Sequence, residues 1–135
     1  MSGENNPEKL SKGMKPEMQE GIFVFCTIPE QQTITSAIRP VLMFREREGT
    51  TYAIRREEAE TAGLSYQFAS RLITLTVHSS LDAVGFLAAI TVRLAEAGIS
   101  VNAVSAFYHD HLFVPDHRAD QALSILRDMS RPEAG

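Results

Sequence analysis

Between residues 72 and 98 the chain changes its hydrophobic period, and that change restricts the fold more than any other feature. Ile73, Leu75 and Val77 alternate with Thr74 and Thr76, the two-residue period of a strand with one buried face. Beyond Ser79-Ser80-Leu81-Asp82-Ala83, the residues Val84, Leu87, Ala88, Thr91, Leu94 and Ala95 recur at three- and four-residue spacing. That is the pattern of an amphipathic helix, which Gly98 closes just past its C-cap. A strand that passes through a serine pair into a helix offers the first unpaired helical N–H groups, and the positive end of the helix dipole, to a carboxylate or phosphate. Ser79 or Ser80 with Asp82 would satisfy the same donors as an ordinary N-cap, so ligand and cap are alternative partners for them.

The rest of the C-terminal half continues this pattern. Strands are expected over 101–108 and 111–114, with His109-Asp110 at the turn between them and Pro115 ending the second. Asp116 is placed to cap a last helix, along which Ala119, Ala122, Leu123, Leu126 and Met129 form one apolar stripe. Strand, helix, strand, strand, helix is the split βαβ order of ferredoxin-like folds without its final strand. That strand must come from the N-terminal half or from a partner chain, or be missing.

In the N-terminal half a helical turn is expected over 8–14, a strong strand over 22–27 and a polar surface loop over 29–39. A hairpin follows over 41–45 and 51–54 with Gly49 at its turn, and then a helix over 57–62 stopped by Gly63. The expected organisation is a frayed start at 1–7, an N-terminal unit at 8–69, a C-terminal unit at 70–130 and a flexible tail at 131–135. A faint echo links the two units, Ala59-Glu60-Thr61-Ala62-Gly63-Leu64-Ser65 against Ala95-Glu96-Ala97-Gly98-Ile99-Ser100, although helix C-cap chemistry alone produces such a match.

Composition narrows the function classes. A chain of 135 residues buries a sizeable core without metal or disulfide staples. The one cysteine, Cys26, lies within the apolar run Ile22-Phe23-Val24-Phe25-Cys26, which makes it a core residue in a reducing compartment rather than a nucleophile. A net charge of −4 with scattered basic residues argues against nucleic acid as a partner. The start of the sequence has no signal-peptide pattern and no apolar stretch reaches membrane-spanning length, so a cytoplasmic protein without membrane attachment is expected.

Residues 72–129 resemble the ACT domain, a small regulatory module that binds amino acids and related metabolites. Val77-His78-Ser79-Ser80-Leu81-Asp82-Ala83-Val84-Gly85 and Leu94-Ala95-Glu96-Ala97-Gly98-Ile99-Ser100-Val101-Asn102 carry the likeness. Nearly the whole chain is similar to a bacterial family of uncharacterised tandem ACT-like proteins, through Phe23-Val24-Phe25-Cys26, Phe44-Arg45-Glu46-Arg47-Glu48-Gly49, Tyr108-His109-Asp110-His111 and Phe113-Val114-Pro115. The C-terminal module also resembles the ACT domains of aspartokinases and of cytosolic arginine sensors. The resemblance implies an α+β fold of tandem ferredoxin-like βαββαβ units, with antiparallel sheets and helices packed on one face.

It further implies a non-catalytic, cofactor-free sensor of an amino acid or related carboxylate. Such a sensor would be a homodimer and would report to a separate effector protein, because the chain carries no domain for the module to regulate. The ligand would sit against Ser79, Ser80, Leu81, Asp82, Val84, Gly85 and Phe86, with Gly85 allowing close approach, Asn102 facing it, and Tyr108 and His109 nearby. Two other readings stand beside this one. The first is an assembly module with no metabolite ligand. The second is a metal-dependent enzyme at His109 and His111, which needs a third ligand such as His78 and for which no partnered nucleophile is present.

Overall fold

The computed structural model describes residues 13–29, 32, 34–76 and 85–131. In chain order its elements are β1 (Lys15–Met18), β2 (Phe23–Ile28), β3 (Leu42–Glu46), β4 (Gly49–Arg55), α1 (Arg56–Thr61), β5 (Gln67–Thr76), α2 (Phe86–Glu96), β6 (Asn102–Ser105), β7 (Asp110–Pro115), a 3₁₀ turn (Asp116–Arg118) and α3 (Ala119–Ser130). They divide into two units, one spanning Gly21–Ser70 and the other joining Arg71 onward to the segment that ends at Glu20. The architecture is α+β, as the sequence implied, with helices packed against antiparallel strands.

In the Gly21–Ser70 unit the strand order is β3-β4-β2-β5. Alternation along β2 buries Val24 and Cys26, which pack with Ile54 of β4 and Ala59 of α1. Burial pushes the Cys26 thiol pKa up, which suits a core residue. Gly49 opens β4 at φ +147°, and a Cβ there would lie 2.7 Å from the carbonyl oxygen of Ile28, so only glycine fits. The stretch 29–41 has no helix among its described residues, but it is more than a surface loop. Ile38 is buried and Ile34 packs beside it, so the segment covers the sheet where a helix would otherwise lie. The Glu58 carboxylate, accepting from the backbone N–H of Arg39 at 3.1 Å and of Arg55 at 3.3 Å, ties this cover to α1.

The C-terminal unit orders its strands β1-β5-β7-β6. The strand absent from the C-terminal half is therefore β1, which pairs antiparallel with β5 from Lys15↔Thr76 to Met18↔Ile73. Pro16 and two charged residues disguise it in the sequence, and all three suit a sheet edge, where a missing N–H costs nothing and charge discourages further pairing. Ile73 and Leu75 of β5, Leu112 and Val114 of β7, Phe86, Ile90 and Leu94 of α2, and Ala119, Ala122 and Leu126 of α3 form one core.

The α3 stripe is as expected, whereas the α2 stripe is turned from the expected one. Phe86, Ile90 and Leu94 are buried, while Ala88 and Ala95 are exposed. The larger side chains take the core, because methyl groups bury little area. The helix after β7 also differs at its start. Asp116 opens a 3₁₀ turn and α3 begins at Ala119, so Asp116 does not cap it.

Candidate functional site

Gly85 and the β6–β7 hairpin lie towards one end of the C-terminal sheet, and the chain direction explains why. Just past β7, Arg118 donates to the carbonyls of Ala97 at 2.8 Å and Gly98 at 3.3 Å, capping the C-terminus of α2 beside the end of β7. At about 1.5 Å per residue, α2 carries its own N-terminus some 16 Å back along the sheet, towards the start of β7 and the β6–β7 hairpin.

That N-terminus is bare. Its N-cap is Gly85, at φ +91° in the left-handed region, with no side-chain cap and no acidic residue in the first helical turn. The helical ladder starts only with the N–H of Ala89 on the carbonyl of Gly85, at 2.9 Å. Among the described residues no side chain accepts from the N–H groups before it.

On the face of the sheet away from the helices lies a second polar group. Leu112 and Val114 face the core, so alternation turns His111 to the other face, where its Nδ1 lies 3.0 Å from the Thr74 hydroxyl. The side-chain amide of Gln19 donates to the same hydroxyl at 3.2 Å. The His109 ring stands nearly perpendicular to that of His111, centroids 6.2 Å apart, and its buried Nδ1 has no hydrogen-bond partner among the described residues. Burial, then the neighbouring His109, lowers the His111 pKa, and Asp110 partly opposes them. The Asp110 carboxylate accepts from the Ser105 hydroxyl at 2.6 Å.

Of the residues expected to meet a ligand, Ser79, Ser80, Leu81, Asp82 and Val84 lie outside the described residues, as does His78. Gly85 is at the helix start, and Phe86 is in the core. Tyr108 projects from the hairpin, 81% exposed, edge-on to Phe107 at 5.1 Å. Asn102 is exposed at the far end of β6, paired with Phe113, about 10 Å along the strand from Ser105. The structure thus brings Gly85, Tyr108 and His109 to one end and leaves Asn102 at the other. Thr74 and Gln19 were not anticipated. Thr74 reads as the solvent side of an alternating strand, and no sequence signal marks Gln19. Among the described residues no three His, Cys, Asp or Glu side chains gather as metal ligands.

ACT-domain profiles match residues 2–71 and 67–128, so two copies in tandem span nearly the whole chain. The chain belongs to the ACT-domain family. A Vibrio cholerae protein described as of unknown function and a possible transport protein, VC0802, is 42% identical over 92% of this ACT protein and 95% of its own chain, with a TM-score of 0.82. Two more distant structures share the fold. Clostridium acetobutylicum aspartate kinase is 8% identical with a TM-score of 0.64, over 88% of this chain and 35% of its own. A putative C-terminal regulatory domain of aspartate kinase from Porphyromonas gingivalis is 12% identical with a TM-score of 0.60, over 86% of this chain and 96% of its own. No curated protein matches. Membership of the ACT family supports a regulatory, ligand-binding role in general, and no described helix is long and apolar enough to cross a membrane.

Proposed function

We propose that this ACT protein is a non-catalytic cytoplasmic sensor that binds an amino acid or related carboxylate at the N-terminus of α2 and reports it, as a homodimer, to a separate effector protein. The observation that carries this reading is the helix start: a glycine N-cap at φ +91° and, among the described residues, no side-chain cap and no acid in the first turn. A carboxylate there meets unpaired N–H groups and the positive end of the dipole together. Ser79, Ser80, Leu81, Asp82 and Val84 are part of the proposed site, and Tyr108 and His109 would meet the ligand from the hairpin. Asn102 would face the ligand from β6, about 10 Å along the strand from Ser105. Ligand binding acts by favouring one pairing of subunits over another, which requires different affinities for the two states.

A thermal-shift screen against the twenty amino acids and common nucleotides tests the reading, since a ligand that binds only the folded chain raises its Tm. A saturable rise with one carboxylate is expected. It should be lost in Gly85→Asn, whose side chain tolerates the left-handed backbone and competes for the N–H groups; bulkier residues at φ +91° would add backbone strain. A flat screen at millimolar ligand favours the assembly module instead, a reading supported by the exposed Phe107 and Tyr108.

A further inference from the structure

Gln19, the residue that follows β1, is held at three points. Its N–H donates to the Leu72 carbonyl at 2.8 Å, its carbonyl accepts from the Arg71 guanidinium at 3.2 Å, and its side-chain amide donates to Thr74 at 3.2 Å. Thr74, 7% exposed, passes the contact on to His111 of β7. A neutral His111 that accepts at Nδ1 completes a directional relay, from the Gln19 amide to the Thr74 oxygen and from the Thr74 hydroxyl to the imidazole. A protonated His111 must donate at Nδ1, which leaves the buried Thr74 hydroxyl proton without its acceptor.

We propose that Gln19, Thr74 and His111 form a pH-sensitive latch that fastens the edge strand β1 to the C-terminal sheet, and that protonation of His111 loosens it. This device stands independently of any ligand at α2. The surroundings of His111 give little to stabilise its charge. From the hairpin, His109 repels it and Asp110, already engaged by Ser105, attracts it. From β6 its register partner is the uncharged Val104. From β1, Glu17 pairs with Thr74 and Lys15 with Thr76, both exposed to water. On β5 the same face carries Thr74 and Thr76, and α2 and α3 pack on the opposite face. Met14 and Met18 anchor β1 to the core and four residues pair with β5, so breaking the relay loosens the Gln19 end of the strand rather than releasing it.

The test is amide hydrogen exchange on the full chain, corrected for intrinsic rates, at about pH 7.5 and about pH 5.5, beside an NMR titration of the histidine side chains. Protection of the Gln19 amide and of β1 should fall severalfold on acidification as His111 titrates. Protection in β2 and β4 should stay constant. His111→Gln, which accepts without titrating, should keep β1 protected at both pH values. Thr74→Val should leave β1 weakly protected at both. The proposal is overturned if β1 loses protection with acid in His111→Gln as in the wild type, or if wild-type protection is the same at both pH values. His111→Gln decides the matter even if Thr74→Val does not fold.

Discussion

The two units cover the same kind of four-stranded sheet in different ways. After its first strand, the C-terminal unit crosses over through α2, an eleven-residue helix with three fully packed apolar residues. The N-terminal unit crosses over through the irregular stretch 29–41, which reaches its sheet by Ile34 and Ile38. Both crossovers exclude water from a sheet face. Among the described residues, the helical one also ends in first-turn N–H groups with a dipole behind them. Shared topology therefore does not imply a shared site, and the proposed ligand site is placed in the C-terminal unit for that reason.

The largest expected effect tests that contrast in packing. Ile90→Ala empties a site between a rigid helix and the sheet and should cost about 2–5 kcal/mol. Ile38→Ala removes the same atoms from beneath a loop that can settle into the space, so its cost should fall near the lower end of that range, about 2 kcal/mol. Urea denaturation of both variants measures the difference. Equal losses would mean that the loop packs as rigidly as the helix.

The same contrast marks what was legible in the sequence. The period change at residues 72–95 announced β5 and α2, because amphipathic periodicity is local and requires no partner to be seen. It placed the buried stripe imperfectly, since spacing weighs Ala88 like Phe86 whereas packing does not. β1 was illegible for a different reason: Lys15-Pro16-Glu17-Met18 has poor strand propensity, and it pairs only because β5 offers a free edge far along the chain. The relay inherits that blindness. Thr74 and His111 each looked like ordinary polar positions, and only the pairing of β1 brings Gln19 to them.

Acid should weaken the C-terminal unit more than the N-terminal one. Burial and His109 lower the His111 pKa in the folded chain, whereas the unfolded chain takes up this proton near the ordinary value of about 6.5. Below that value the unfolded state binds more protons, so this contribution to stability is complete above about pH 7 and is lost as pH falls through 6.5 towards the folded value. Chemical denaturation of the wild type should show the decline, and His111→Gln should flatten it. An unchanged slope in the variant would assign the acid sensitivity to other groups.

A smaller effect is expected where α2 ends. Arg118→Ala removes the two guanidinium bonds to the carbonyls of Ala97 and Gly98 and should cost about 0.5–1.5 kcal/mol by thermal or urea unfolding. The N-terminal unit has no long crossover helix of this kind among its described residues, so the two units should separate further in their response to helix-capping changes.

The smallest stability effect falls at the hairpin tip, where the chain places two aromatic rings in water. Phe107 is 76% and Tyr108 81% exposed, so neither contributes much burial, and Tyr108→Ala should change stability by less than about 0.5 kcal/mol. Association is another matter, because aromatic side chains that stay exposed in one copy are those that gain most when a second surface covers them. If the homodimer uses this tip, sedimentation of Tyr108→Ala should show a weakened dimer at unchanged Tm. A Tm that drops with an unchanged dimer would reverse the assignment and make the aromatic pair part of the fold. A variant unaltered in both would move the contact to another exposed apolar group, Val41 with Met43 and Phe44 of β3, and so hand assembly to the N-terminal unit. The proposed division of labour between the units, ligand at one and structure at the other, would then extend to assembly.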